Sequence, residues 1–378
     1  MTDLLIVLNY YSPYVSGLTN VARDVAEGMS LRGWRVTVVA SQHAPELPLE
    51  DVVNGVRIVR VPVWLKIGKG VISPAFIPTV RRESLRAKVV NIHAPMLEAG
   101  LAATVSRAPV VLTYQCDVSL APTLFGRLQH KILDYSTRTA ARHAKFVTVT
   151  SDDYADHSRV RSSLSAQRRV IPATCHVRSG GIADYRDGPG LHVGFLGRIV
   201  EEKGIEYLVD GFRAFNNRDA RLLIAGDFAA VAGGSVIDRV RQRIGDDPRI
   251  KMLGFLPDEA LDNFYASLDV FALPSVNPFE AFGIVQVEAM MRGIAVIASD
   301  LPGVRQPVIA TAMGQIVAPR SSSEITVALE RLLVARPDVV AGAARARALY
   351  ACNVTLDKFA AVFAEAVGTS GRLGCMPA

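Results

Sequence analysis

Short apolar runs alternate with helix-like patterns along almost the whole chain, and a glycine-rich break at residues 179–190 divides them into two sets. The first set begins with the run at residues 4–8, and the second with the run at 192–196. Each run is bounded by turn residues, which predicts a buried strand, and apolar residues at helical spacing fill most intervals. Strands that alternate with helices form parallel sheets covered on both faces. The pattern therefore predicts an α/β protein with two doubly wound domains.

The break also sets the predicted boundaries. An N-terminal domain at residues 1–178 precedes a second domain at 179–350, and a final helix within 351–378 packs back toward the first domain. Ligands of such sheets bind at the carboxyl ends of the strands, so we expect a site in a central cleft that both domains face. The chain has no long uninterrupted apolar stretch, Asp3 stands where a secretion signal would be basic, and the cysteines form no CxxC pair. These features favour a cytoplasmic protein.

The net charge of +6 is unevenly distributed, because residues 1–178 carry 22 Lys and Arg against 13 Asp and Glu. A basic first half beside a mildly acidic second half favours an anionic partner for the first half. Nucleic acid, an anionic membrane surface and a phosphorylated small molecule are the candidates, and the alternative is a solvated surface with no role. The chain contains no recognised nucleic-acid module, which disfavours the first candidate.

Segment 57–88 concentrates this charge and mixes it with apolar side chains, among them Trp64 and Phe76. Such a mixture suits a membrane surface that bears anionic lipids, or a lipid-diphosphate acceptor. We therefore expect peripheral contact of the first domain with the inner face of the cytoplasmic membrane. The cations of this segment are Arg57, Arg60, Lys66, Lys69, Arg81, Arg82, Arg86 and Lys88.

The second domain opens with the charged sequence GRIVEEKG at residues 197–204, directly after a predicted strand and before a predicted helix. That position is the ligand-binding end of the strand. Arg198 offers a planar guanidinium fork and Lys203 a compact point charge, and both suit a diphosphate. The alternative is a solvated charged loop, and the placement favours phosphate binding.

A second motif, PFEAFGIVQVE at residues 278–288, begins in the loop after another predicted strand and continues into a helix. Backbone N–H groups at a helix start carry partial positive charge and suit a phosphate or a sugar hydroxyl. Gly283 removes a side chain where a ligand must approach the backbone. The carboxylates of Glu280 and Glu288 flank that point and can accept hydrogen bonds from vicinal hydroxyls. The alternative for Glu288 is an ordinary exposed helix residue.

Together the patterns GRxxxEKG and ExFGxxxxE, at this separation, resemble the family 4 glycosyltransferases of the GT-B fold, in which two Rossmann-like domains face a central cleft. The resemblance covers essentially the whole chain. The first half, with NYYSPYVSGLTN, NIHAP and TYQCD, resembles a bacterial branch that builds surface polysaccharides, lipopolysaccharide and related glycoconjugates.

The resemblance implies a retaining transfer of a sugar from a nucleotide sugar, with UDP favoured over GDP, to a glycan, a lipid-linked acceptor or a small molecule. Arg198 and Lys203 would hold the diphosphate, and Glu280 would bind hydroxyls of the donor hexose. Backbone at residues 282–284 would orient the sugar, and Glu288 would bind the ribose. The implied donor-binding set is Gly17, Leu18, Gly197, Gly254, Phe255, Phe282, Gly283, Ile284 and Glu288, with Gly17 and Leu18 over the diphosphate and Gly254 and Phe255 at the nucleobase.

The sequence departs from the family at one position. Relatives carry a histidine after the fourth strand of the first domain, whereas this chain has Gln115 there. A glutamine cannot act as a base near neutral pH. Asp117 or His93 is then expected to contact the acceptor, or the departing phosphate takes the acceptor's proton; the alternative for His93 is a buried core histidine.

No metal or other cofactor is expected, because no Asp-x-Asp motif occurs anywhere in the chain. The charge of the leaving group would then be met by Arg198, Lys203 and helix dipoles. The alternative functions are another GT-B enzyme, such as a nucleotide-sugar epimerase or a phosphorylase, and a non-catalytic sugar-binding protein with two α/β lobes.

Overall fold

The computed structural model describes residues 2–67, 70–119, 123–165, 167–228 and 234–368. The chain forms two compact units. The first comprises Met1–Thr174 together with the segment that begins at Asn353, and the second comprises Cys175–Cys352. Within the described residues, no helix is both long and apolar enough to cross a membrane.

The first unit is built on a sheet with the strand order β10-β9-β8-β7-β1-β2-β4-β3. All of its pairs are parallel except β3 with β4. The central strand β1 is apolar and fully buried from Leu4 onward, as expected for a strand covered on both faces. The strands are β1 (Thr2–Val7), β2 (Val36–Gln42), β3 (Glu50–Val53), β4 (Val56–Pro62), β5 (Leu65–Ile67), β6 (Gly70–Ile72), β7 (Ala87–Ala94), β8 (Val110–Tyr114), β9 (Phe146–Val149) and β10 (Arg168–Val170).

Helices cover this sheet, and several begin at a polar side chain that caps them. Ser16 Oγ accepts a hydrogen bond from the Thr19 N–H, and Thr123 Oγ1 accepts one from the Gly126 N–H. Such caps satisfy donors that the helix itself leaves free. The helices are α1 (Gly17–Leu31), α2 (Phe76–Ser84), α3 (Ala99–Val105), α4 (Leu124–His143), α5 (Asp152–His157) and α6 (Arg161–Leu164).

The second unit has a wholly parallel sheet with the strand order β13-β12-β11-β14-β15-β16. The strands are β11 (His192–Leu196), β12 (Arg221–Ala225), β13 (Ile250–Gly254), β14 (Val270–Leu273), β15 (Ala295–Ser299) and β16 (Gly314–Val317). The helices are a 3₁₀ turn (Glu201–Lys203), α7 (Ile205–Ala214), α8 (Ile237–Ile244), α9 (Asp258–Ala266), α10 (Ile284–Met291), α11 (Gln306–Thr311), α12 (Ser322–Val334) and α13 (Val339–Tyr350).

The last helix, α14 (Cys352–Val367), belongs with the first unit from Asn353 onward. Its Asp357 accepts a hydrogen bond of 2.7 Å from Arg32, and Phe363 packs against the ring of Trp34 at a centroid distance of 6.2 Å. The chain therefore returns to its first unit from Asn353, whereas the predicted boundary lay at residue 351; residues 369–378 of the predicted segment lie outside the described part.

Three short strands were not predicted from the sequence: β3, which pairs with β4, and both strands of the β5–β6 hairpin. Asn54 and Gly55 both have positive φ (50° and 77°), which suits a two-residue hairpin turn, and β3 precedes them as the antiparallel partner of β4. β4 follows this turn, and β3 was not predicted. The β5–β6 hairpin also went unpredicted.

Candidate active site

The two charged motifs of the second unit meet at the point where its strand order reverses. β11 and β14 pair directly, with Gly194 opposite Phe271, although β12 and β13 lie between them in the chain. Residues 197–204 leave the carboxyl end of β11, and residues 274–283 leave that of β14. Crevices at such reversals are the usual ligand sites of doubly wound sheets. The fold therefore places both motifs where a ligand is expected.

Of Arg198, Lys203 and Glu280, the last two are in direct contact there. Lys203 Nζ donates to Glu280 Oε2 in a short ion pair, and both side chains are mostly buried. Arg198 Nη2 donates to Glu202 Oε1 at 2.9 Å. The site thus holds two cations, each balanced by a carboxylate of the same unit. A diphosphate that displaced these carboxylates would meet cations already in position.

Gly204, the last residue of the first motif, lets the two loops approach backbone to backbone. Its φ is +64°, and a Cβ there would lie 2.2 Å from the carbonyl oxygen of Pro274. The Val276 N–H donates to the Glu202 carbonyl at 2.9 Å, which fixes the same approach. Only glycine fits both the left-handed conformation and the close contact. This contact positions Lys203 beside the loop that carries Glu280.

Alanine at position 204 should therefore destabilise the second unit by about 2–4 kcal/mol, because strain at positive φ adds to a backbone clash. The matched control is Gly293→Ala. Gly293 also has positive φ (+87°), but its nearest neighbour would be 3.9 Å from the new Cβ, so about 1 kcal/mol is expected. Urea denaturation of both variants measures the difference, and equal losses would contradict the close approach.

A second glycine shapes the start of α10. Gly283 caps this helix with a φ of +80°, and a Cβ there would lie 2.3 Å from Leu273 Cδ2. Phe282 is buried against the ring of Tyr350, and the buried Gln286 amide donates to the Phe282 carbonyl at 2.6 Å. The helix begins at Ile284, and its first N–H groups lack partners within the helix.

Glu288 lies on α10, but its environment differs from an exposed helix position, so that alternative is wrong. The residue is 5% exposed, and its Oε2 accepts hydrogen bonds of 3.2 Å from both Arg178 Nε and the Tyr265 hydroxyl. Burial raises the pKa of Glu288, and the Arg178 guanidinium opposes that rise. Arg178 also donates to Asp258 at 2.6 Å. The carboxylate is thus held in one orientation by partners on other elements.

Arg178 and Tyr265 were not singled out from the sequence. Arg178 directly precedes the glycine-rich break between the two sets of strands, where an arginine resembles any surface cation. Tyr265 follows the apolar spacing of α9 and resembles a core aromatic residue. Only the fold brings them to Glu288.

The predicted nucleobase contacts lie at the carboxyl end of β13. Gly254 has a φ of +73° and open space around its Cα, and Phe255 directly after it is 70% exposed. An exposed aromatic ring at a strand end can stack on a flat heterocycle. Gly197 follows the end of β11, two strands away, and its N–H donates to the carbonyl of Ala225 at the end of the intervening β12 at 3.1 Å.

In the first unit, three predicted residues come together at the carboxyl edge of the sheet. His93 lies one residue before the end of β7, Gln115 follows β8, and Leu18 lies in the first turn of α1. The Gln115 amide nitrogen lies 2.9 Å from His93 Nδ1 and 3.2 Å from the Leu18 carbonyl oxygen. An amide nitrogen only donates, so His93 Nδ1 accepts and Nε2 carries the proton. Gln115 therefore links His93 to the start of α1, where Gly17 leaves open space.

His93 is completely buried, and burial lowers its pKa to about 3. The imidazole is therefore neutral at physiological pH and a poor proton acceptor. The burial of His93 agrees with the alternative of a buried core histidine. The group formed by His93, Gln115 and Leu18 then contains no strong base.

This burial predicts a pH dependence of stability. A depressed pKa in the folded state contributes stability that is present above the unfolded value of about 6.5 and is lost as the pH falls toward 3. Between pH 7 and pH 5, His93 alone should lower the free energy of unfolding by about 2 kcal/mol. Denaturation of the native protein and His93→Gln at both pH values measures this slope, which the variant should lack. Imidazole NMR signals of His93 that titrate near pH 6.5 would contradict it.

Asp117, the third acceptor-side candidate, has other partners. Its Oδ1 accepts hydrogen bonds from the Tyr114 hydroxyl at 2.6 Å and from Ser158 Oγ at 3.2 Å, and its Oδ2 accepts one from the Arg159 N–H at 3.3 Å. The backbone N–H of Asp117 donates to the Tyr154 hydroxyl at 2.7 Å. This carboxylate therefore holds the segment after β8 in place.

Comparison with known proteins agrees with this architecture. Residues 187–347 match the family model of glycosyl transferases group 1, and residues 16–174 match that of the glycosyl transferase 4-like domain. The phosphatidyl-myo-inositol mannosyltransferase of Mycobacterium tuberculosis is 30% identical over 317 residues, which cover 80% of this chain and 78% of the relative.

Solved structures share the fold at lower identity. Sucrose-phosphate synthase from Thermosynechococcus elongatus has a TM-score of 0.78 at 19% identity and covers 98% of this chain and 100% of that one. Anabaena HepE, solved in complex with UDP-glucose, has a TM-score of 0.69 at 18% identity and covers 97% and 100%.

The fold is thus the GT-B fold, and the protein is an enzyme that transfers glycosyl groups. The chain belongs to the family 4 glycosyltransferases. The alternative of a non-catalytic sugar-binding protein is therefore set aside.

Proposed function

We propose that this enzyme is a retaining, metal-independent hexosyltransferase of surface-glycoconjugate biosynthesis, which moves a hexose from a nucleoside-diphosphate sugar to a glycan or lipid-linked acceptor. The observation that carries the proposal is the contact between Lys203 and Glu280 at the strand reversal of the second unit. A site for a nucleotide-sugar donor needs two adjacent groups. One is a cation that binds the diphosphate, and the other is a carboxylate that binds the sugar.

Departure of the nucleoside diphosphate leaves negative charge on its terminal phosphate. Arg198 and Lys203 neutralise that charge, and the N-terminus of α10 adds its partial positive charge. In the free enzyme these cations pair with Glu202 and Glu280. Donor binding exchanges those partners: phosphate oxygens bind the cations, and Glu280 turns to the hydroxyls of the hexose.

The nucleoside is bound by groups on either side of these cations. Glu288 accepts hydrogen bonds from the ribose hydroxyls, and its orientation is maintained by Arg178 and Tyr265. Gly254 and Phe255 contact the base, and the exposed ring of Phe255 supplies a stacking surface. In the first unit, the start of α1 at Gly17 and Leu18 offers backbone N–H groups that suit a phosphate.

For the anomeric configuration to be retained, the acceptor must attack the anomeric carbon from the face that the phosphate leaves. The bond from the anomeric carbon to the phosphate oxygen breaks, and a bond from the same carbon to the acceptor oxygen forms on the same face. The acceptor proton passes to the departing phosphate oxygen. The absence of a strong base at Gln115 and the neutral state of His93 favour this route over a side-chain base.

The relatives support one choice of donor and acceptor within this proposal. The Anabaena structure contains UDP-glucose, which favours a UDP-hexose over a GDP-hexose. The mycobacterial relative is named for transfer of mannose to phosphatidyl-myo-inositol, which favours a lipid-linked acceptor and a location on the inner face of the cytoplasmic membrane.

A thermal-shift panel of UDP, GDP and ADP, with and without attached hexoses, tests the donor. A ligand at 100 times its Kd stabilises the folded state by about 2.7 kcal/mol, so the matching nucleotide should raise Tm by several degrees, and EDTA should not change the shift. NMR of the product then reads its anomeric configuration. An inverted product, or a panel in which no nucleotide raises Tm, would overturn the proposal.

A further inference from the structure

Helix α4 in the first unit carries an apolar stripe that faces solvent. Leu124, Leu128, Ile132 and Tyr135 are exposed, and Phe125 beside them is exposed as well. At 100° per residue these side chains cover an arc of about 100° along the first three turns of the helix. A surface helix normally buries its apolar arc and exposes its polar one. Here Leu124 is 85% exposed and Tyr135 is 68% exposed, so the usual arrangement is reversed.

A row of cations runs along one edge of this stripe. Arg127, Lys131 and Arg142 are exposed, and none of them forms an ion pair with any carboxylate in the part of the chain that the structure describes. The acidic residue of α4, Asp134, pairs with Arg159 at 3.2 Å and so does not offset them. The helix therefore presents an apolar surface bordered by uncompensated positive charge.

Four of the eight cations of segment 57–88, in which the sequence predicted the membrane contact, are in contrast paired with carboxylates. Arg60 is buried with Asp51, Arg57 and Arg82 pair with Glu83, and Lys88 pairs with Asp3. Lys69 lies outside the described residues. Among the described residues of the first unit, α4 thus combines unpaired cations with exposed apolar side chains better than segment 57–88 does.

We infer that α4 is the surface by which the enzyme docks on an anionic lipid bilayer, with the stripe in the interface and the cations at the headgroups. This inference deepens the lipid-linked acceptor of the proposed function and rests on it. Amphipathic helices with this combination bind the interfacial plane of bilayers, and charge complementarity selects anionic lipids. The match of unpaired cations to anionic headgroups favours a bilayer over a protein partner.

The same helix is tied to the acceptor-side segment. His130 Nε2 lies 3.1 Å from the Val118 carbonyl, and Arg159, which pairs with Asp134 of α4, also donates to that carbonyl at 3.1 Å. Val118 directly follows Asp117. Docking of α4 would therefore hold the segment after β8 at a fixed height above the headgroups, where a lipid-linked acceptor presents its hydroxyl.

Vesicle flotation of the full-length protein tests the inference. The native protein should bind vesicles that contain phosphatidylglycerol and should not bind phosphatidylcholine alone. Arg127→Gln with Lys131→Gln should weaken binding at least tenfold, since each cation near an anionic surface contributes about fivefold. Leu128→Gln with Ile132→Gln should weaken it to a similar degree. All four side chains are exposed, so the fold should be retained.

The matched control is Arg331→Gln with Val334→Gln, an exposed cation and an exposed apolar residue on α12 of the second unit. This variant should bind vesicles like the native protein. Unchanged binding in both α4 variants, loss only in a Trp64→Ser variant of the β5–β6 hairpin, or no binding of the native protein to anionic vesicles would overturn the inference. Nucleotide thermal shifts of the same preparations report separately on the donor site, so failure of the proposed function remains distinguishable.

Discussion

Glu280→Ala is expected to lower turnover by about 10²–10³-fold while the fold is retained. Glu280 is the carboxylate that contacts Lys203, and in the proposed donor complex it orients the hexose relative to the departing phosphate. Loss of one positioned polar group that acts on the reacting centre typically has an effect of this size. The residue lies in a loop after β14 rather than in the core, so the helices and strands around it do not depend on it.

The measurement is steady-state turnover of the nucleotide sugar, with circular dichroism and Tm as checks of the fold. Glu280→Gln should fall between the native enzyme and the alanine variant, because an amide oxygen can still accept one hydroxyl hydrogen bond but carries no charge. The matched control is Glu201→Ala, which removes an exposed carboxylate from the neighbouring loop. Near-normal turnover in Glu280→Ala would remove this residue from the site.

Most strands and helices follow from the sequence because their physical signal is local. The apolar runs at residues 4–8 and 192–196 correspond to β1 and β11, and the motif at 278–288 continues into α10, as its pattern predicts. β3 and the β5–β6 hairpin were missed because their strands are short and partly exposed. Their apolar alternation is therefore weak.

The composition of the site was less predictable than its position. The motifs at 197–204 and 278–288 indicated a phosphate and sugar site, and the pairing of β11 with β14 brings them together. The burial of Glu288, however, depends on Arg178, which lies 110 residues earlier in the chain, and on Tyr265. No local pattern encodes contacts of that separation.

The distribution of charge illustrates the same limit. A count of cations in segment 57–88 predicts a basic surface, but pairing decides which charges remain free. Glu83 alone pairs with Arg57 and Arg82, whereas the cations of α4 lack such partners among the described residues. Sequence proximity of charge and apolar side chains is therefore a weaker guide than the ion pairs that the fold creates.

Lys203→Ala is expected to have an effect as large as that of Glu280→Ala, but for a different reason. Lys203 supplies positive charge where the leaving phosphate develops negative charge, and the site is mostly shielded from water. Such preorganised charge is worth about 10²–10³-fold in turnover. The loss should appear in kcat more than in KM, because the interaction strengthens as the phosphate departs. Arg239→Ala, which removes an exposed cation that pairs with Glu201, is the matched control.

The direct contact of Lys203 with Glu280 makes the double variant the sharpest test of the site. Residues that act as one unit give effects that do not add, so Lys203→Ala with Glu280→Ala should lose far less than the product of the two single losses. Comparison of the two single variants with the double variant also separates an effect on catalysis from an effect on folding. Each single variant leaves one mostly buried charge without its partner, whereas the double variant leaves none, so its Tm should exceed that of at least one single variant. Strictly additive losses in turnover would mean that the two residues act on separate steps, and the assignment of one donor site to both would then be wrong.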